Sequence, residues 1–563
     1  MKRKRAIDPV GGGVKVHSLQ RRSTVAVSSI VLLLAGALAV APLIPPAIPS
    51  GVDTAAFSAA AALETIERLA VEPRPIGSLG SQRARDFIVA QLRALGLEPQ
   101  LQTSRSRNYY SAAGETIDIV NILARIPGTA PTKAVALMGH YDTIPATAGA
   151  NDDASAVAIM LETARAVLAG TPLRNDVILL FTDGEEPAPR YGSSAFVGDH
   201  PWLNDIGLVI NLETIGTGGP SFVIEMNGPE SWMMSQYARA VPYQAAFSFI
   251  TAVSELIGGS NTDFATLRDA GIPGFDVAYM HGNSIYHTAA DAPDRVSLRS
   301  LQHQGANALA LARHFGDLNL GLPHDDLKTV FFTISRYLVV QYPGTWALPI
   351  AVLTGVVLLV AMCRQRSWLR SLLSLGTTLA TALIAAMAAA GIWMMLASWR
   401  SSMGIAEGYV YLALLVLLTL GIGVAISRLT RRRVGTGADA VGVVILWLAL
   451  GLLTAVAVPG MSYLFTWPAW VAAVCLVFPV LESIRRWWGL IRWAVVCTTT
   501  LVMLVPAIDF FHQFAQPRSG NLDSQILAVI AIPILLAALV IELLRVFSVR
   551  SPKRSPSTPR QGL

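Results

Sequence analysis

From Trp346 to the C-terminal tail, apolar stretches of about 20 residues recur, the length a helix needs to cross a bilayer. They account for an apolar content of 53% and a mean hydropathy of +0.50, well above those of a soluble domain. Residues 55–320 read differently, with the charges, glycines and alternating strand and helix patterns of a globular domain.

Eight spans are expected: one at 24–44, then seven at 346–362, 371–396, 409–426, 440–459, 464–481, 490–508 and 525–547. With the N-terminus in the cytoplasm, the loops expected inside carry Arg364, Arg366 and Arg370, then Arg428 and Arg431 to Arg433, then Arg485, Arg486 and Arg492. Those expected outside carry only Arg400 and Arg518. This is the positive-inside distribution. The organisation is then a basic cytoplasmic N-terminus (1–23), an anchor (24–44), a proline-rich linker (45–54) and an extracytoplasmic domain (55–320). A connector (321–345), a seven-span region (346–547) and a basic cytoplasmic tail (548–563) follow. The anchor has a rival reading as a cleaved signal peptide, because Ala37-Leu38-Ala39 and Ala39-Val40-Ala41 would suit a peptidase. Its apolar run is longer than a usual signal core, which favours an uncleaved anchor, and both readings put the domain on the same side.

The net charge of +6 sits largely in Lys2 to Arg5, the short loops and the tail. It is a topology signal, and no nucleic-acid partner is expected. The three cysteines, Cys363, Cys475 and Cys497, lie in or beside the spans, so the domain needs no disulfide. Oligomeric state cannot be read from the chain.

Within the domain, helices are expected at 55–70, 81–95, 154–168 and 300–315. Strands are expected at 119–126, 134–138, 176–182, 207–212 and 272–278. Such alternation describes an α/β domain with a mostly parallel mixed sheet and helices on both faces. An all-α polytopic membrane domain is joined to it.

Five short motifs each follow one of these strands: Met138-Gly-His-Tyr-Asp142, Ala150-Asn-Asp-Asp-Ala-Ser155, Phe181-Thr-Asp-Gly-Glu-Glu186, Asn211-Leu-Glu213 and Tyr286-His-Thr288. Open α/β sheets gather their sites at such strand ends. His140, His287 and several carboxylates converging there make a divalent-metal site, with zinc the usual occupant. Asp142 stands where its carboxylate can accept the other ring N–H of His140. Asp152, just before a helix, is the best candidate for a carboxylate shared between two ions. Glu185 and Glu186 are adjacent and point in different directions, so one can bind metal while the other acts as general base. Glu213 and His287 complete one ion each. Any one of these motifs alone would be an ordinary cap, surface pair or polar histidine. Together, in this order, they describe a two-metal hydrolase.

The motifs resemble those of the family-28 zinc metallopeptidases, a family that includes bacterial aminopeptidases, glutamate carboxypeptidase and glutaminyl cyclases. The resemblance covers about residues 74–315. With its multi-span region, the chain is similar in architecture to the vacuolar membrane proteases and endoplasmic-reticulum metallopeptidases. The resemblance implies two Zn2+ ions, one held by His140, Asp152 and Glu213 and the other by Asp152, Glu186 and His287. Glu185 is then the base, Tyr286 a stabiliser of the tetrahedral oxyanion, and Asp263 a supporting residue. It also implies a cis peptide after Asp152. The chain departs from many members in having Glu213 for aspartate, Ala156 for glycine and Phe264 for histidine, none of which deletes a ligand.

The expected activity is hydrolysis of peptide bonds, as an aminopeptidase acting on small peptides at the extracytoplasmic face. The setting is the inner (plasma) membrane in bacteria, with the domain periplasmic or extracellular, or an organelle lumen in a eukaryote. A glutaminyl cyclase, a receptor with a relic site and a transporter are the alternatives. All five motifs are present, which argues against a relic. Asp439, Glu482, Asp509 and Glu542 lie near span ends rather than mid-span, which argues against transport.

Overall fold

A computed structural model describes residues 26–27, 29–51, 53–186, 190–325, 327–365, 368–396, 405–434, 439–477, 485–515 and 522–548. The N-terminus expected at 1–23, the tail from 549 and residues 478–481 of an expected span lie outside them.

Seven strands form one sheet in the order β1-β2-β4-β3-β5-β7-β6. They are β1 (Gln100–Arg107), β2 (Thr116–Ile126), β3 (Ala134–His140), β4 (Val177–Thr182), β5 (Ile206–Thr214), β6 (Phe222–Asn227) and β7 (Gly274–Tyr279). The four central strands, β4, β3, β5 and β7, run parallel, while β1, β2 and β6 pair antiparallel at the edges. β3 and β4 are buried along their whole length, as strands covered on both faces must be. Their alternate residues feed two cores. Val135 and Leu137 pack under the helices Ala59–Leu69, Ala154–Leu168 and Leu298–Asp317. Ala134, Ala136 and Met138 meet Phe196, Phe264 and Leu267 on the other face.

Sequence patterning located the central strands and missed β1 and β6. The β1 sequence, Gln-Leu-Gln-Thr-Ser-Arg-Ser-Arg, is polar because it is a half-exposed edge strand, so it reads as loop. Residues 329–343, in the stretch expected to be a connector, form a hairpin of β8 (Thr329–Ser335) and β9 (Leu338–Pro343). The linker lies along the domain, its Pro46 carbonyl accepting from Arg299 Nε at 3.1 Å.

Four helices among the described residues are long and apolar enough to cross a membrane: Gly344–Arg364, Trp368–Met395, Glu407–Thr430 and Ala494–Phe514. Shorter apolar helical stretches occupy Ser29–Leu43, Val441–Ala457, Tyr463–Val477 and Gln525–Ala537. The chain is a membrane protein. One continuous apolar cluster joins its two parts, running from Phe222, Phe247 and Phe249 to Tyr463 and Phe510. Phe332 of β8 stacks on Tyr463 at 4.6 Å, Phe249 meets Phe510 edge-on at 5.4 Å, and Ser248 Oγ donates to the Gly460 carbonyl at 2.7 Å.

Candidate metal centre

All the motif residues meet at the carboxyl ends of the parallel strands. The chain passes from β3 to β4 on one side and then back across β3 to β5, the kind of strand-order reversal that opens a crevice. β3 delivers His140 as its last residue, and β5 delivers Glu213. The turn after β4 carries Glu185 and Glu186, and the segment after β7 carries Tyr286 and His287. Gly139 lets the Ala154–Leu168 helix lie close to β3, because a Cβ there would stand 2.6 Å from that of Ala156. Asp153 caps this helix, accepting from Ala156 N at 3.1 Å, and the Asp152–Asp153 peptide is cis, as the resemblance implies.

Asp152 lies between the two imidazoles. Its Oδ1 is 3.3 Å from His140 Nε2, and its Oδ2 is 3.2 Å from His287 Nε2. Glu186 Oε2 is 3.0 Å from His287 Nε2, while Glu185 Oε2 and Glu213 Oε2 are each 3.9 Å from His140 Nε2. Two groups can therefore each hold an ion, His140 with Asp152 and Glu213, and Asp152 with Glu186 and His287. His140, Glu185 and Glu186 form a third cluster overlapping these. The donor set is nitrogen and carboxylate oxygen, which suits zinc.

Whether the residues fit metal can be judged from unmet hydrogen bonds. His140 Nε2, His287 Nε2, Asp152 Oδ2 and Glu186 Oε1 are buried without a hydrogen-bond partner. The imidazole–carboxylate approaches are close but lack hydrogen-bond geometry. Buried polar atoms are nearly always paired, so four orphans spread over these two groups fit bound cations. Electrostatics agrees. Burial, with added repulsion from neighbouring carboxylates, holds Glu185 and Glu213 well above the ordinary carboxylate range, against the pull of His140. Burial and the charge of Asp152 push Glu186 up to about 8. Burial also pushes Asp152 up, but the imidazoles on either side win and hold it low.

Asp142 stands beside His140: His140 Nδ1 lies 3.1 Å from the Asp142 backbone carbonyl and 3.5 Å from its carboxylate. The carboxylate also accepts the backbone N–H of Glu185 at 3.1 Å and of Glu186 at 3.3 Å, so it sets the turn that presents both glutamates. The Tyr286 ring stacks on His287 at 3.7 Å, and burial among the site carboxylates holds its hydroxyl well above its ordinary value. Asp263, buried behind the site, accepts from Thr182 Oγ1.

Two supporting residues escaped the sequence reading. Asp291 accepts from Asn151 N and Nδ2, both at 2.8 Å, and from Asp152 N at 3.1 Å. Four residues after His287, it had no motif to mark it. Arg74, between Pro73 and Pro75, is 1% exposed and donates to the carbonyls of Tyr141, Leu69, Ala148 and Gly149. It fixes the loop between His140 and Asp152 and puts a positive charge under the carboxylates.

The sequence profile of peptidase family M28 matches residues 121–312, which span all five motifs. The chain carries a peptidase family M28 domain. Over 237 residues it is 33% identical to endoplasmic reticulum metallopeptidase 1 of Mus musculus, covering 40% of this chain and 26% of that protein. The vacuolar membrane protease of Candida dubliniensis is 28% identical over 280 residues, 48% of this chain and 30% of that one. The aligned part thus spans between a quarter and a third of these relatives. Among solved structures, glutaminyl cyclase of Porphyromonas gingivalis aligns with a TM-score of 0.39 at 22% identity, covering 45% of this chain and 98% of that one. A zinc aminopeptidase from Bacillus subtilis aligns at 0.37 and 16%, covering 46% and 96%.

Proposed function

We propose that the M28 domain is a two-zinc peptidase that removes N-terminal residues from small peptides at the extracytoplasmic face of the membrane. The observation that carries this reading is the placing of Asp152, one oxygen toward each imidazole. His140, Asp152 and Glu213 would hold one ion, and Asp152, Glu186 and His287 the other. Zinc bound there supplies Lewis acidity, polarising the scissile carbonyl and making water acidic near neutral pH.

The chain's own residues do the rest. Glu185, 3.9 Å from His140 Nε2 and outside both ligand groups, takes the proton of the attacking water and passes it to the departing amine. The Tyr286 hydroxyl donates to the oxyanion as the carbonyl carbon becomes tetrahedral. With the metals bound and the carboxylates ionised, two divalent ions and Arg74 together would still not neutralise Asp142, Asp152, Asp153, Glu185, Glu186 and Glu213. The surplus negative charge favours a peptide's N-terminal ammonium over an uncharged internal amide. Metal analysis of the purified chain with a peptide-library digest tests this. Two zinc ions per chain and stepwise N-terminal trimming are expected. Internal cleavage, or cyclisation of N-terminal glutamine without hydrolysis, would replace the reading.

Sidedness has a separate test. The Pro459–Met461 turn and the end of the Arg485–Phe514 helix meet the M28 domain, whereas Arg364, expected in a cytoplasmic loop, donates to the Val477 carbonyl at 2.9 Å. This supports an external domain above cytoplasmic arginines. A reporter active only outside the cytoplasm should work when fused after Gly170 and fail when fused after Arg550. The reverse pattern would invert the topology.

A further inference from the structure

We propose that the Arg485–Phe514 helix is part of the scaffold of the metal centre, with Asp509 as a positioning residue for the segment that presents Tyr286 and His287. Only seven residues separate the end of β7 from His287. Within them Gly282 has φ +75°, and His287 itself has φ +57°. A non-glycine residue in the left-handed region is uncommon and must be held there by its surroundings.

The M28 domain supplies one half of that hold. His281 N donates to Gly218 O at 2.9 Å, and its carbonyl accepts from Thr217 N at 2.8 Å. The imidazole of His281 rests on bare backbone, since a Cβ at Gly219 would fall 2.4 Å from its Cγ. The helix supplies the other half. His281 Nε2 lies 2.7 Å from Asp509 Oδ2, and because a carboxylate only accepts, the imidazole donates. Asn283 Nδ2 donates to the Gln513 carbonyl, also at 2.7 Å. Asp509 and Gln513 are one helical turn apart, so a single helix end grips two of the polar side chains that precede the ligand.

Asp509 is 14% exposed at the end of an apolar helix, where a carboxylate is costly unless paired. His281 is its hydrogen-bond partner. The edge-on Phe249–Phe510 contact holds the helix against the domain, so the grip has a defined position. Asp509 touches none of the ligand set; it acts by setting where His287 stands. A shift of about 1 Å at a catalytic group can cost about 100-fold in rate, so the contact matters out of proportion to its size.

The inference rests on His287 being a metal ligand, and the test separates the two claims. Full-length Asp509→Ala, Asp509→Asn and, as reference, His287→Ala would be compared with wild type in lipid nanodiscs. Second-sphere changes at metal sites typically cost about 10–100-fold, and Asp509→Ala should fall at the lower end. It should release zinc to a chelator about 10-fold faster and lower kcat about 10-fold, with KM within about twofold. In zinc-free protein, amide exchange should accelerate in residues 280–290 and not in β3 or β5. Asp509→Asn keeps an acceptor for His281 and should recover most of the loss. Wild-type zinc release and exchange in Asp509→Ala would overturn the proposal, as would exchange accelerated throughout the sheet. If His287→Ala keeps both ions and full turnover, the metal reading fails instead.

Discussion

Glu185→Gln should keep its zinc and lose about 10^3-fold in kcat, within the range a positioned proton acceptor contributes. The amide has nearly the same shape as the carboxylate, so it keeps the backbone turn that Asp142 holds through the N–H groups of residues 185 and 186. What it loses is the lone pair that takes the proton. Glu186→Gln should behave differently, because Glu186 Oε2 points at His287 Nε2 from 3.0 Å and belongs to the second ligand group. There both zinc content and kcat should fall. Metal analysis beside steady-state kinetics reads the contrast; equal zinc loss in the two variants would show that the two roles are assigned wrongly.

The expectation of two roles came from the sequence, where the two glutamates are adjacent, although the structure brings both carboxylates close to His140; the site as a whole was legible because its residues end buried strands. Parallel strands buried on both faces must be apolar, so the polar residue ending each one stands out: His140 after Ala-Val-Ala-Leu-Met-Gly, Glu213 after Val-Ile-Asn-Leu. The supporting residues carry no such contrast. Arg74 sits between two prolines in what reads as a turn, and only the folded chain reveals the four carbonyls that it ties together. Asp142 was picked out for its place beside His140, but its second set of partners was not visible. Its carboxylate faces the glutamate turn 43 residues on, a relation set by strand order rather than by spacing.

The same limit explains why β1 and the β8–β9 hairpin were missed. β1 satisfies its backbone against β2 while showing solvent a polar edge, and nothing in its composition separates it from a loop. The hairpin is apolar on β8, and its partners Tyr463 and Trp467 belong to a distant part of the chain. The apolar run Val330–Phe332 within the connector is a sign that something must cover it. Here the membrane helices do, and through the same interface they reach the segment that bears His287.

Asp152→Asn should be the most damaging single change at the site. Each Asp152 oxygen faces a different imidazole, so an amide offers one acceptor to one side and turns an N–H₂ toward the other. The loss goes beyond one ligand atom, because the negative charge that both cations would share disappears with it. At least one zinc per chain should be lost, and kcat/KM should fall by more than about 10^3-fold, beyond the roughly 100-fold ceiling of second-sphere changes. The fold itself should stand. Asp291 binds the backbone N–H of residue 152 rather than its side chain, and the helix cap belongs to Asp153. Thermal unfolding of the zinc-free variant should therefore match that of zinc-free wild type within a few degrees, on the order of 1 kcal/mol. Full zinc occupancy with near-normal turnover would show that Asp152 is not shared between two ions. A collapse of zinc-free stability would show that the carboxylate serves the fold before it serves the metal.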